Sequence, residues 1–127
     1  MEQYLMDNNI ISNYFMGAFP KTAMSFISDV MDKTPNISVI TEIEALSWLA
    51  PDKMYETIIK EFINDATILP LTKNVVAECV RIRRGRKIKT PDAIIAATAI
   101  VYDFTLLTSD SDFKQIPNLK VINPFDL

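Results

Sequence analysis

A chain of 127 residues is about one domain, long enough for one sizeable core and too short for two of ordinary size. The absence of histidine excludes His-based triads, His general bases and the commonest transition-metal ligand, so carboxylates must do any acid, base or metal work. A net charge of −3 argues against nucleic-acid binding by the whole surface and leaves room for a local basic patch.

No apolar run approaches the ~20 residues a membrane span requires, and the opening MEQYLMDNN carries an acid and no basic region. A cytoplasmic protein without a secretory signal is the expectation. The lone Cys79 lies in VAECVRI and is expected to be buried on a helix face.

Taken in order, Gln3 to Asp7 reads as a short buried strand that delivers Asp7 to its carboxyl end. Asn8 and Asn9 then start a helix with Ile10, Ile11, Tyr14 and Phe15 on one face. Beyond the turn at Gly17 to Pro20, a helix through Phe26, Ile27 and Val30 runs to the Thr34-Pro35-Asn36 break. Ile37 to Ile40 is a second strand. Thr41 and Glu44 match a capping box, which predicts a helix starting at Thr41 and running to Pro51. A helix over MYETIIKEFIND follows, then a strand over Thr67 to Leu71 and a helix over Lys73 to Arg84.

The stretch Ile88 to Val101 predicts a helix apolar nearly all round, with Thr90 as its cap, Pro91 at its first position and Asp92 in its positively polarised first turn. Strands over Thr105 to Thr108 and Leu119 to Ile122 close the chain. Strands alternating with helices imply one domain over residues 1–127, an α/β three-layer sandwich with a short parallel sheet of about five strands and right-handed crossovers. Ligands of such sheets sit beyond the carboxyl ends of the strands.

By that rule Asp7, Glu42, Glu44, Asp110 and Asp112 share one sheet edge, and Asp92 joins them if its helix starts above it. Glu42 and Glu44 lie about 200° apart around a helix, so only one can face a common centre. Glu44 is favoured over Glu42, and Asp110 over Asp112, which is expected to cap the turn before Phe113. Acids so crowded repel unless a cation sits between them, and Mg²⁺ or Mn²⁺ suits oxygen ligands.

These residues resemble the PIN-domain ribonucleases, and among them the toxins of VapC type. YLMDNNIISNYF resembles the family's strand and Asp-Thr-Asn, with Asn8 in place of the usual Thr. ISVITEIEAL, TPDAIIAATAI and LLTSDSDFKQIPNLKVINP resemble its later acidic motifs and closing segment. The resemblance implies a metal-dependent endoribonuclease with Mg²⁺ or Mn²⁺ held by Asp7, Glu44, Asp92 and Asp110. Asp112 is then an outer ligand, and Asn9 and Thr108 are orienting groups. It also implies the toxin of a type II toxin–antitoxin pair, with a small antitoxin as partner and a homodimer or hetero-oligomer as its assembly.

The alternative is a catalytically inactive PIN-like module that binds RNA or protein. Arg81, Arg83, Arg84, Arg86, Lys87 and Lys89 place six of the 13 basic residues just ahead of Asp92, a segment expected to grip RNA phosphates. Among the apolar residues, Tyr14, Phe15, Met16, Phe19, Trp48, Met54 and Tyr55 are expected to be mostly core, with any excess available to an antitoxin or a second copy.

Overall fold

The computed structural model describes residues 2–127. Five short strands, β1 (Tyr4–Met6), β2 (Asn36–Ser38), β3 (Thr67–Leu69), β4 (Thr105–Leu107) and β5 (Val121–Ile122), form one sheet in the order β3-β2-β1-β4-β5. All four pairings are parallel. Six helices connect them: α1 (Asn8–Phe15), α2 (Lys21–Asp32), α3 (Val39–Ser47), α4 (Lys53–Asp65), α5 (Lys73–Arg84) and α6 (Thr90–Tyr102). The order reverses at β1, so the crevice beyond the carboxyl ends of β1, β2 and β4 is the switch point where such sheets bind ligands.

Strand alternation divides the core. Leu5 and Leu106 face one side of the sheet and pack with Val75, Cys79 and Ile82 of α5 and with Ala93, Ala96 and Ala97 of α6. Met6 and Leu107, one residue further along the same strands, face the other side with Ile10, Ile27, Ala45, Ile59 and Phe62. Both faces of the sheet are therefore dry. Fully burying each of these Leu and Met side chains stabilises the fold by roughly 1.5–3 kcal/mol. Small residues line α6 because it is buried nearly all round, with Ala93, Ile95, Ala96, Ala97, Thr98 and Ala99 all inaccessible. Cys79 is buried, as its flanks predict.

Helix starts depart from the sequence reading at α3 and α6, and α4 opens one residue early, at Lys53. The predicted capping box over Thr41 and Glu44 does not form. Instead α3 begins at Val39, and the Ser38 side chain caps it by accepting a bond from the Thr41 amide at 3.1 Å. Ser38 and Thr41 are both fully buried, and the Ser38 hydroxyl donates onward to Thr41 Oγ1, so the pair satisfies the helix start from inside the core. Helix α6 likewise starts one residue early. Its cap is Lys89, without a side-chain bond, and Thr90 is already helical. Trp48 and Tyr55 form a tilted aromatic pair, while Phe19 is buried against the second core layer. Met16 and Met54 are exposed, and Leu46 and Leu49 join Met54 as exposed apolar residues near the α3–α4 junction. Among the described residues no helix is long and apolar enough to cross a membrane.

Candidate active site

Asp7 ends β1 and caps α1 at the same time. Its Oδ1 accepts from the Asn8 amide at 2.8 Å, which holds the carboxylate at the positive end of the helix. Its Oδ2 accepts from Thr108 Oγ1 at 2.7 Å and from Asn9 Nδ2 at 3.2 Å. A carboxylate offers about four lone-pair positions, and these three bonds leave one open, on Oδ1. Asp7 is 7% exposed. Burial pushes its pKa up, and the like charge of Asp110 adds to this, against the three hydrogen bonds that favour ionisation.

Thr108, immediately after β4, organises the neighbourhood. Its hydroxyl donates to Asp7 and accepts from the Asp110 amide at 3.1 Å and from Asn9 Nδ2 at 3.3 Å. Asn9 also accepts from the Ser109 amide at 3.2 Å. The ends of β1 and β4, about a hundred residues apart in sequence, are thus stitched together by side chains just where the sheet ladder stops. Asn8, which departs from the family's Thr, contributes its backbone amide to Asp7.

The structure brings Glu44 and Asp92 to the same edge. Burial raises the pKa of Glu44, followed by repulsion from Asp7 and Asp92. Burial likewise raises that of Asp92, followed by Asp110 and Asp7 and a smaller push from Asp112, with Lys89 opposing. Glu44 is largely exposed, so water screens its share of this repulsion. Helical phase accounts for the choice between Glu42 and Glu44. Thr41 and Ala45 are the buried positions of α3, and the two glutamates fall about 80° to either side of that face. Only the flank carrying Glu44 meets Asp7 and Asp92.

Asp110 has a second task. It caps a 3-10 turn, Ser111–Gln115, by accepting from the Asp112 amide at 2.9 Å. The capping role expected of Asp112 therefore belongs to Asp110, and Asp112 sits exposed within the turn. Among the described residues, no three acidic or cysteine side chains stand ready as the inner shell of a metal ion. The donor chemistry nevertheless fits a hard cation: Asp110 lies close enough to Asp7 and Asp92, and both of these close enough to Glu44, for like charge to oppose ionisation, and Asp7 keeps one lone pair free.

Beside the acids runs a groove of about 750 Å³, lined by the cations Arg83, Arg86, Lys87 and Lys89 and by the acids Asp92, Asp110 and Asp112. Its remaining wall is Ile88, Gln115 and Ile116. The basic run is not one patch. Arg81 pairs with Glu78 on the outer face of α5. Arg84 lines a separate apolar groove with Val76, Val80 and Ile94. Arg86 donates to the Ile82 carbonyl at 2.8 Å and Arg83 to the Ile88 carbonyl at 3.3 Å, bonds that fold the connection between α5 and α6 against the helix end. Gln115 is a groove residue that the sequence reading overlooked, because a single exposed Gln in a short turn carries no motif.

The chain belongs to the PIN domain family, which matches residues 4–119. PIN domains are in general nucleases, typically with divalent metal ions. Among solved structures it is similar to a chain of a toxin–antitoxin complex from Klebsiella pneumoniae, at 26% identity and a TM-score of 0.77, covering 98% of this chain and 100% of that one. VapBC2 from Rickettsia felis bound to a promoter DNA fragment matches at 23% identity and TM-score 0.77, over 94% of this chain and 97% of the other. FitAcB from Neisseria gonorrhoeae matches at 24% and 0.76, over 98% and 100%. No curated protein matches the chain.

Proposed function

We propose that this protein is a metal-dependent endoribonuclease and the toxin of a type II toxin–antitoxin pair of VapC type. The observation that carries the reading is the convergence of Asp7, Glu44, Asp92 and Asp110 at the switch point of the sheet, where burial and neighbouring carboxylates both disfavour charge, beside a cationic groove. Such a cluster destabilises itself unless a cation or a proton joins it.

Asp7, Glu44, Asp92 and Asp110 are assigned to hold Mg²⁺ or Mn²⁺ directly or through water, with Asp112 as an outer ligand. A metal held there would supply Lewis acidity, making a bound water nucleophilic toward a phosphodiester and offsetting charge on the leaving oxygen. Thr108 and Asn9 fix the rotamer of Asp7 and leave its free lone pair pointing away from their own bonds. Lys87 and Lys89, which line the groove, supply the phosphate contacts. Arg83 and Arg86 shape the groove through their carbonyl bonds. Arg81 and Arg84 lie outside this role.

A small antitoxin is the proposed partner, in a homodimer or hetero-oligomer, and the cytoplasm the proposed compartment. The solved relatives described as toxin–antitoxin complexes support the partner. The exposed Ile43 and Leu46 of α3, Met54 of α4 and Leu49 of the connection between them are apolar surface available to it.

The competing reading, a non-catalytic binding module, is favoured by the lack of a ready three-carboxylate shell among the described residues. Cleavage of RNA with Mg²⁺ or Mn²⁺ by the intact chain, Asp7→Asn and Asp92→Asn decides between them, with melting curves to verify folding. Cleavage by the intact chain that is lost in both variants is expected. Equal behaviour of all three refutes the nuclease.

A further inference from the structure

We infer that Gln115 reads the identity of an unpaired RNA base next to the scissile phosphate, making it a specificity-determining residue; this rests on the endoribonuclease reading. Three observations lead there. Gln115 lines the same groove as Asp92, Asp110 and Asp112 and as Lys87 and Lys89. Its side chain is exposed and makes no hydrogen bond among the described residues, whereas Arg83 and Arg86 in the same groove direct theirs to carbonyls. Its backbone is fixed from both sides. Phe113 and Ile116 are buried at 1% and 4% exposure, and the Ile116 amide bonds the Phe113 carbonyl at 3.2 Å.

The same turn is tied to the acids themselves. Asp110 caps it, and the Asp110 amide is held by Thr108, which also holds Asp7. Gln115 is therefore in rigid register with the site, as a reading residue requires. The chemistry separates it from its neighbours. Lysine and arginine contacts to phosphate position a nucleic acid without reading it, whereas a side-chain amide presents one donor and one acceptor edge that match a base edge. Gln115 is the one uncharged polar side chain among the described residues lining the groove, so it adds hydrogen-bonding capacity there without adding to the charge that draws phosphate. Because the major groove of an A-form duplex is too narrow for side chains, the base it reads is unpaired and the substrate single-stranded.

The test is cleavage-site sequencing of a randomised single-stranded RNA pool with the intact protein, Gln115→Ala and Gln115→Glu, in Mg²⁺ or Mn²⁺. The intact chain is expected to prefer one base at one position near the cut by about tenfold, the range of a good amide–base pair. Gln115→Ala is expected to flatten that position alone. Gln115→Glu, which replaces the amide donors by an acceptor, is expected to shift the preference toward a base presenting an amino group, as carboxylates accept from cytosine. Identical cleavage profiles for all three proteins overturn the inference, and so does a uniform loss of cleavage at every sequence. An intact chain that cuts no RNA overturns the nuclease reading itself, a result distinguishable from both.

Discussion

Thr108→Val removes one hydroxyl and almost no volume, and the structure says what that hydroxyl holds. It donates to Asp7 at 2.7 Å and accepts from the Asp110 amide at 3.1 Å and Asn9 Nδ2 at 3.3 Å. The bond to the charged carboxylate is worth ~1.5–3 kcal/mol, and the Asp110 amide loses ~0.5–1.5 kcal/mol more. Asn9 keeps its bond to Asp7 and adds little. The expected destabilisation is therefore about 2–4 kcal/mol at neutral pH, or roughly 6–15 °C in Tm for a chain of this size. Its pH dependence is the sharper check. Asp7 already binds its proton more tightly folded than unfolded, so wild-type stability falls as pH rises through that window and is recovered as pH falls. Losing Thr108 removes a bond that lowers this pKa, so it widens the deficit above the folded value and matters less once Asp7 is protonated. Urea denaturation over a pH series from 7.5 down to the lowest pH at which the protein stays folded measures both. A cost under ~1 kcal/mol at neutral pH, or one that stays constant across the whole series, refutes the placement of Thr108 as the support of an ionised Asp7.

Three further outcomes follow from the same geometry. Millimolar Mg²⁺ or Mn²⁺ should raise Tm at pH 7.5 by the linkage amount, about 2.7 kcal/mol at a hundred times Kd, and the gain should vanish in acid or in Asp7→Asn; scanning calorimetry reads it. Glu44→Gln should reduce RNA cleavage by at least about a hundredfold, more than the ~10–100-fold typical of residues that only support a metal ligand, while Glu42→Gln leaves cleavage unchanged. Ser38→Ala should cost ~1–2 kcal/mol in urea denaturation, because the buried cap of α3 is lost and Thr41 is left without its partner.

The order of elements and the parallel sheet were readable because each strand is a short apolar run bounded by turn chemistry, and its crossover helix has its own period. The placement of Asp7 and Asp110 followed from the rule about carboxyl edges alone. Helix starts were less legible. At Ser38 and Thr41 two residues could each cap, and only the packing that buries both hydroxyls selects Ser38. That two-residue error did not move Glu44, since its direction is set by its phase against Thr41 and Ala45 rather than by where the helix begins. Gln115 was illegible for a different reason: its role depends on which distant residues share a groove with it, and nothing local encodes that.

Helical phase also divides the basic run, which the sequence presents as a block. The core face of α5 is set by Val75, Cys79 and Ile82. At about 100° per residue, Arg83 lies ~70° from the centre of that face, Arg81 ~130° and Arg84 ~170°. Of the three helical arginines, only Arg83 can lean over the flank toward Ile88, as it does. The connection it ties down carries Lys87 and Lys89 into the groove. Removing Lys87 and Lys89 as Gln should weaken binding of a single-stranded RNA and lessen the slope of log K against log salt by ~1.4, about 0.7 for each lost phosphate contact. Removing Arg81 and Arg84 instead removes the same formal charge from the outer side of the helix and should leave that slope unchanged. Equal slopes for the two double variants, measured by fluorescence anisotropy across a salt series, would mean that net charge alone draws RNA to this protein and that the groove has no part in holding it.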